Sequence, residues 1–170
     1  MTFWRLSNQT DLAGRGGMRA PGRWHSVGHP IVYLAEHPAC CLLEALTHDL
    51  RLAELPKHAK WLEISVDAAV AVDVVDELPE GWTDDVAVTR QIGDAWLRSR
   101  SAALLRVPSA YAPSTSIHLL NPRHPGAARL VVSRVLPHPP AGALMPAETA
   151  TPPAATPRAR PARRAPAPKA

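Results

Sequence analysis

A break in composition after Leu136 constrains this 170-residue chain more than any single motif. Of the final 34 residues, ten are proline and eleven alanine, and none is aromatic. Such a segment cannot bury enough apolar surface to offset the entropy of ordering its backbone, so a disordered tail is expected over 137–170. The fold must then come from residues 1–136, enough for one hydrophobic core and short for two. The break also relocates the charge. The chain holds 19 basic and 15 acidic side chains, and the tail holds five of the former and one of the latter, leaving residues 1–136 with 14 of each. A neutral folded domain gives little support to duplex binding, whatever the overall pI.

The element pattern is mixed. Phe3 to Leu6 and Ile31 to Ala35 read as strands, separated by a long glycine-bearing loop over 8–30 of the kind kept for binding. Pro38 suits the first turn of a helix running from Ala39 to Leu50. Its apolar residues go nearly all the way round, which predicts a largely buried helix. Trp61 to Val66 alternates like a half-buried strand, and Ala69 to Val75 reads as another. Asp84 and Asp85 favour the start of a second helix with Val88, Ile92, Ala95 and Trp96 as its inward stripe. Ala103 to Val107, Ile117 to Leu120 and Leu130 to Val132 complete the strands. The expected class is α/β mixed (α+β), one compact domain followed by the tail.

Few residues carry chemistry. Glu44 stands alone in an apolar helix, where an unpaired carboxylate is costly, so it either faces a pocket or pairs with an arginine or His48. Arg5 and Arg23 each adjoin a tryptophan. Two guanidinium groups can clamp a diphosphate, or each can simply stack on its indole. Tyr33 is core or a platform for a planar ligand. Ser109 has the setting of a turn hydroxyl and lacks a nucleophile elbow. The adjacent Cys40 and Cys41 read as small buried hydrophobes, and the eight histidines show no zinc spacing, so no metal is expected. The glycines form neither a dinucleotide fingerprint nor a phosphate loop. With no leader and no apolar run of about 20 residues, the reading is a soluble cytoplasmic protein without a membrane partner.

Taken in order, Trp4-Arg5-Leu6, Gly22-Arg23-Trp24-His25, Pro30 to Glu36, Leu43-Glu44-Ala45-Leu46, Ile92 to Leu97, Leu105 to Ala110 and Leu119 to Pro125 resemble the RES domain, named for an arginine, a glutamate and a serine. The resemblance covers roughly residues 3–136. It implies a fold related to ADP-ribosyltransferase toxins and the toxin role in a bacterial type II toxin–antitoxin module. It further implies NAD as substrate, cleaved at the nicotinamide–ribose bond by water or phosphate, or used to ADP-ribosylate a protein. The family's pocket residues fall on Arg5, Arg23, Tyr33, Glu44 and Ser109. The implied partner is an Xre-like antitoxin, in a hetero-complex whose toxin subunits can dimerise. On this reading Arg5, Arg23, Tyr33 and Ser109 bind NAD, and Glu44 acts at the ribose with Arg5, Tyr33 and Ser109. A competing class is a non-catalytic binding module that uses its basic tail, with salt-sensitive binding lost on deletion of 137–170.

Overall fold

The computed structural model describes residues 1–48 and 59–137. The order of elements is β1 (Thr2–Ser7), β2 (Val32–Ala35), α1 (Pro38–His48), β3 (Lys60–Val66), β4 (Val72–Val74), α2 (Val86–Ser99), β5 (Leu104–Pro108), β6 (Ser116–Leu120), a 3-10 turn (Pro125–Arg129) and β7 (Leu130–Pro137). The seven strands form one mixed sheet in the order β4-β5-β6-β2-β1-β3-β7. Only β4 and β5 are parallel, joined across α2, and every other neighbour is antiparallel. The α+β class expected from the pattern is what the chain adopts.

Alternation along the strands gives the sheet two apolar faces. Phe3, Val32, Leu34, Leu62, Ile64, Leu104 and Leu120 pack together on one. On the other, Leu105, Val107, Ile117 and Leu119 pack with Trp24 and with Trp96 and Leu97 of α2. Asp85 caps α2 by accepting the Ala87 and Val88 N–H groups at 2.9 and 3.3 Å. These bonds satisfy two of the donors that a helix start leaves open.

Four local expectations need correction. Helix α1 is not largely buried. Of residues 38–45 only Cys41 is buried, because the helix packs along one side, on β1 and β2, where the Cys41 thiol donates to the Trp4 carbonyl at 3.0 Å. Cys40 is correspondingly only half-buried, and the expected helix end at residues 49–50 lies outside the described residues. In α2 the buried face is Thr89, Gly93, Asp94, Trp96 and Leu97, and Ile92 and Trp96 of the expected stripe pack inward while Ala95 is exposed; the small residues of that face receive a loop backbone beside the apolar contacts. The strand expected over Ala69–Val75 shrinks to Val72–Val74, because Asp67 draws Ala69 and Val70 into a turn. The last strand instead runs on to Pro137. Ser133 is absorbed as a bulge that donates to the Glu63 carbonyl at 3.0 Å, and Arg134 pairs with Glu63 at 3.1 Å beyond it. The tail from residue 138 onward lies outside the described residues.

One buried group ties stability to pH. His118 on β6 is 3% exposed and stacks on Phe3 at 4.4 Å, and its Nδ1 has no hydrogen-bond partner. Burial, aided by the Arg106 charge, pushes its imidazole from 6.5 down to about 4. Between those values the unfolded chain binds a proton that the folded chain refuses. Stability should therefore be level above pH 6.5 and fall as pH drops towards 4. Burial lowers the pKa of His25 as well, in the same sense. Urea midpoints at pH 7 and pH 5 check this: the wild type should lose stability between them and His118→Leu should lose less. Equal losses in both proteins contradict the assignment.

Candidate active site

Strands β1 and β2 share one register pair, Trp4 with Ala35, so the halves of the sheet diverge beyond it. A cavity of about 350 Å³ opens at this divergence, within the range of small-ligand sites. Arg5 enters from β1, Tyr33 from β2, Glu44 from α1 and Ile117 from β6, with Gly22 and His25 of the long loop closing the wall. Gly22 has no room for a side chain. A Cβ there would lie 2.6 Å from the Tyr33 hydroxyl oxygen and 2.7 Å from His25 Cε1, so only glycine lets the loop come this close.

Glu44 and Ser109 meet although 65 positions separate them. Ser109 follows β5 at the start of the loop to β6, and its Oγ donates to Glu44 Oε1 at 3.0 Å. The same Oγ accepts the Tyr111 and Ala112 N–H groups, both at 3.2 Å. Two backbone dipoles thus polarise a hydroxyl whose single proton points at the carboxylate, which fixes the orientation of Glu44.

The Tyr33 hydroxyl accepts the Trp24 N–H at 3.1 Å and lies 2.9 Å from His25 Nδ1. His25 Nε2 lies 3.1 Å from the Ala20 carbonyl, which can only accept, so Nε2 carries the proton and Nδ1 accepts from tyrosine. Burial disfavours the charged imidazole and, for the same reason, raises the Tyr33 pKa. Tyr33 is therefore a neutral ring pinned at its tip, and it lines the cavity. His25 was not legible as a site residue, since nothing in the chain pairs it with Tyr33 eight positions on.

The two arginines stand differently. Arg5 lines the cavity, and its Nη1 donates to the Asp11 carbonyl at 2.9 Å; burial lowers its pKa and the Asp11 charge works against that. Arg23 is not among the lining residues. Its Nη1 donates to the Thr83 carbonyl at 2.8 Å, its guanidinium lies 5.6 Å from the Tyr111 ring centroid, and its Nε is buried without a partner. Arg5, Tyr33 and Glu44 thus share one cavity, Ser109 reaches it through Glu44, and Arg23 stands outside the lining. No group of three or more metal-ligating side chains occurs among the described residues. No described helix is long and apolar enough to cross a membrane.

Comparison with known proteins identifies the family. The RES domain matches residues 2–143. A protein of Pseudomonas putida (strain KT2440) named Toxin Res is 41% identical over 128 residues, covering 75% of this chain and 88% of that protein. A Sphingobium protein named Prs ADP-ribosylating toxin is 35% identical over 146 residues, covering 79% of this chain and 90% of its own length. Among solved structures, a chain of the M. tuberculosis MbcT–MbcA toxin–antitoxin complex superposes with a TM-score of 0.64 at 20% identity, over 82% of this chain and 85% of the other. The fold is thus that of a chain in a toxin–antitoxin complex, and over nearly its whole described length this chain belongs to the RES domain family.

Proposed function

We propose that the protein is the toxin of a toxin–antitoxin pair and that it cleaves NAD between nicotinamide and ribose. The observation that carries this reading is the Ser109–Glu44 hydrogen bond on the wall of a cavity that also holds Arg5 and Tyr33. The C–N bond at the ribose breaks with its electron pair leaving on nicotinamide, and positive charge develops on the sugar. Glu44, held by Ser109, stabilises that charge or orients the oxygen nucleophile, which is water or phosphate. Tyr33 packs on the nicotinamide or its ribose. Arg5 holds the diphosphate from inside the cavity. Arg23 joins it by turning from the Thr83 carbonyl, a reading supported by its buried Nε having no partner where it stands.

A second acceptor is a protein side chain. The name of the Sphingobium relative supports ADP-ribosyl transfer, and one electrophile serves both reactions. The partner is an antitoxin, supported by the toxin–antitoxin complex in which the related fold was solved, and the same reading makes it Xre-like and seats it on the cavity. A toxin dimer inside that hetero-complex is part of the same reading. So is a cytoplasmic location, where NAD and such an antitoxin meet.

Expression of the full chain in bacteria should arrest growth and empty the NAD pool, and co-expression of the adjacent antitoxin frame should relieve both. Growth arrest with a normal NAD pool and ADP-ribosylated proteins in the mass spectrum would favour transfer. Deleting residues 138–170 should leave turnover unchanged, since every proposed site residue precedes them. Harmless expression of folded protein, or binding that follows the basic tail without turnover, would support the non-catalytic class.

A further inference from the structure

Helix α2 grips the turn that carries Arg23 with successive groups of one face. Thr89 Oγ1 donates to the Arg23 carbonyl at 2.7 Å, and Arg90 Nε donates to the Gly22 carbonyl at 2.8 Å. One turn further along the helix, Gly93 lies against the Trp24 carbonyl, and Asp94 Oδ1 accepts the Ser26 N–H at 2.9 Å. The carbonyls of Gly22, Arg23 and Trp24 therefore all face the helix. Within itself the turn is closed by the Gly22 N–H donating to the His25 carbonyl at 3.0 Å. Its glycine imposes little conformation of its own, so the helix supplies the restraint.

What the turn carries is the cavity wall. Gly22 and His25 line the cavity, Trp24 donates to the Tyr33 hydroxyl, and His25 accepts from it. Arg90 is the helix residue bonded directly to a lining residue. An arginine there leaves a long, half-buried cation on a face where Thr89 and Gly93 are small and buried. Its described hydrogen bond goes to a backbone carbonyl, a use of guanidinium that fixes geometry more than charge.

We propose that Arg90 is a positioning residue of this site, acting through Gly22 and the turn 22–25 to hold Tyr33 and the backbone of Arg23 in place, with Thr89 as the second hold. The proposal rests on the NAD-cleavage reading for its activity readout but not for its structural one. Small displacements of a positioned group cost about tenfold to a hundredfold in rate.

The test uses Arg90→Gln and Arg90→Lys in the full chain, with Thr89→Val and Thr89→Ser as a second pair should the first fail to fold. Amide exchange of Gly22 and Trp24 is followed by NMR, together with kcat and KM for nicotinamide release. Arg90→Gln should speed exchange at those two amides about tenfold while β3 and β7 keep their protection, and should lower kcat/KM about tenfold or more. Arg90→Lys and Thr89→Ser should recover most of the loss, because each keeps a donor at the carbonyl. Exchange and kcat/KM both within twofold of wild type would overturn the proposal, as would faster exchange with unchanged kcat/KM. A wild type that leaves NAD intact defeats the cleavage reading alone, and the exchange data still decide whether Arg90 holds the turn.

Discussion

Glu44→Gln should lose nicotinamide release by about a hundredfold to a thousandfold, as expected when a preorganised group worth roughly 3–4 kcal/mol in the transition state is removed. The substitution keeps the side-chain shape and keeps an oxygen that can accept from Ser109 Oγ, now 3.0 Å from Oε1. The thermal midpoint should therefore stay close to that of the wild type, which separates lost chemistry from lost fold. Because the missing interaction forms at the developing ribose cation, the loss should appear in kcat more than in KM. A Glu44→Gln protein with wild-type kcat would remove the carboxylate from the mechanism.

Gly93→Ala has the second large effect, against the direction that helix propensity alone gives. Alanine in a helix interior is favoured over glycine by about 1 kcal/mol. Here its Cβ would lie 1.8 Å from the Trp24 carbonyl oxygen and 2.9 Å from the carbonyl carbon, both backbone atoms that no rotamer change can move aside. Helix and turn must separate, and overpacking of this kind costs about 1–3 kcal/mol, which outweighs the propensity gain. The displaced turn includes fully buried Trp24, the donor to Tyr33. We expect a lower thermal midpoint and a loss of about a hundredfold in kcat/KM for NAD. A Gly93→Ala protein as stable and as active as the wild type would show that the contact between α2 and the turn is soft.

The class of fold was legible because strand alternation and breaker-free helices are local signals. Tyr33, Glu44 and the run Ile92 to Leu97 stood out by residue type or resemblance before any geometry was known. What the sequence could not show was pairing at long range. The Ser109–Glu44 bond spans 65 positions and the Arg90–Gly22 bond spans 68, so neither leaves a mark on local periodicity. The α2 stripe misled for the same reason. A helix face that receives backbone needs glycine and threonine, and an apolar count passes over both. The α1 pattern overstated burial, because apolar residues around a helix show what it can bury and not how many neighbours it has. Arg23 was paired with Arg5 by chemistry and by resemblance, and its contacts with Thr83 and Tyr111 are again long-range pairings that the sequence does not mark.

On the proposed function, the cavity between β1, β2 and α1 breaks the nicotinamide–ribose bond. The most direct test is to incubate purified full-length protein, free of any partner, with NAD, with and without phosphate, and to quantify nicotinamide by chromatography. Free nicotinamide is expected in many-fold excess over protein, matched by ADP-ribose or its phosphorylated form, with near absence of both for Glu44→Gln. NAD recovered intact after hours with folded wild-type protein, in both buffers, would contradict that function.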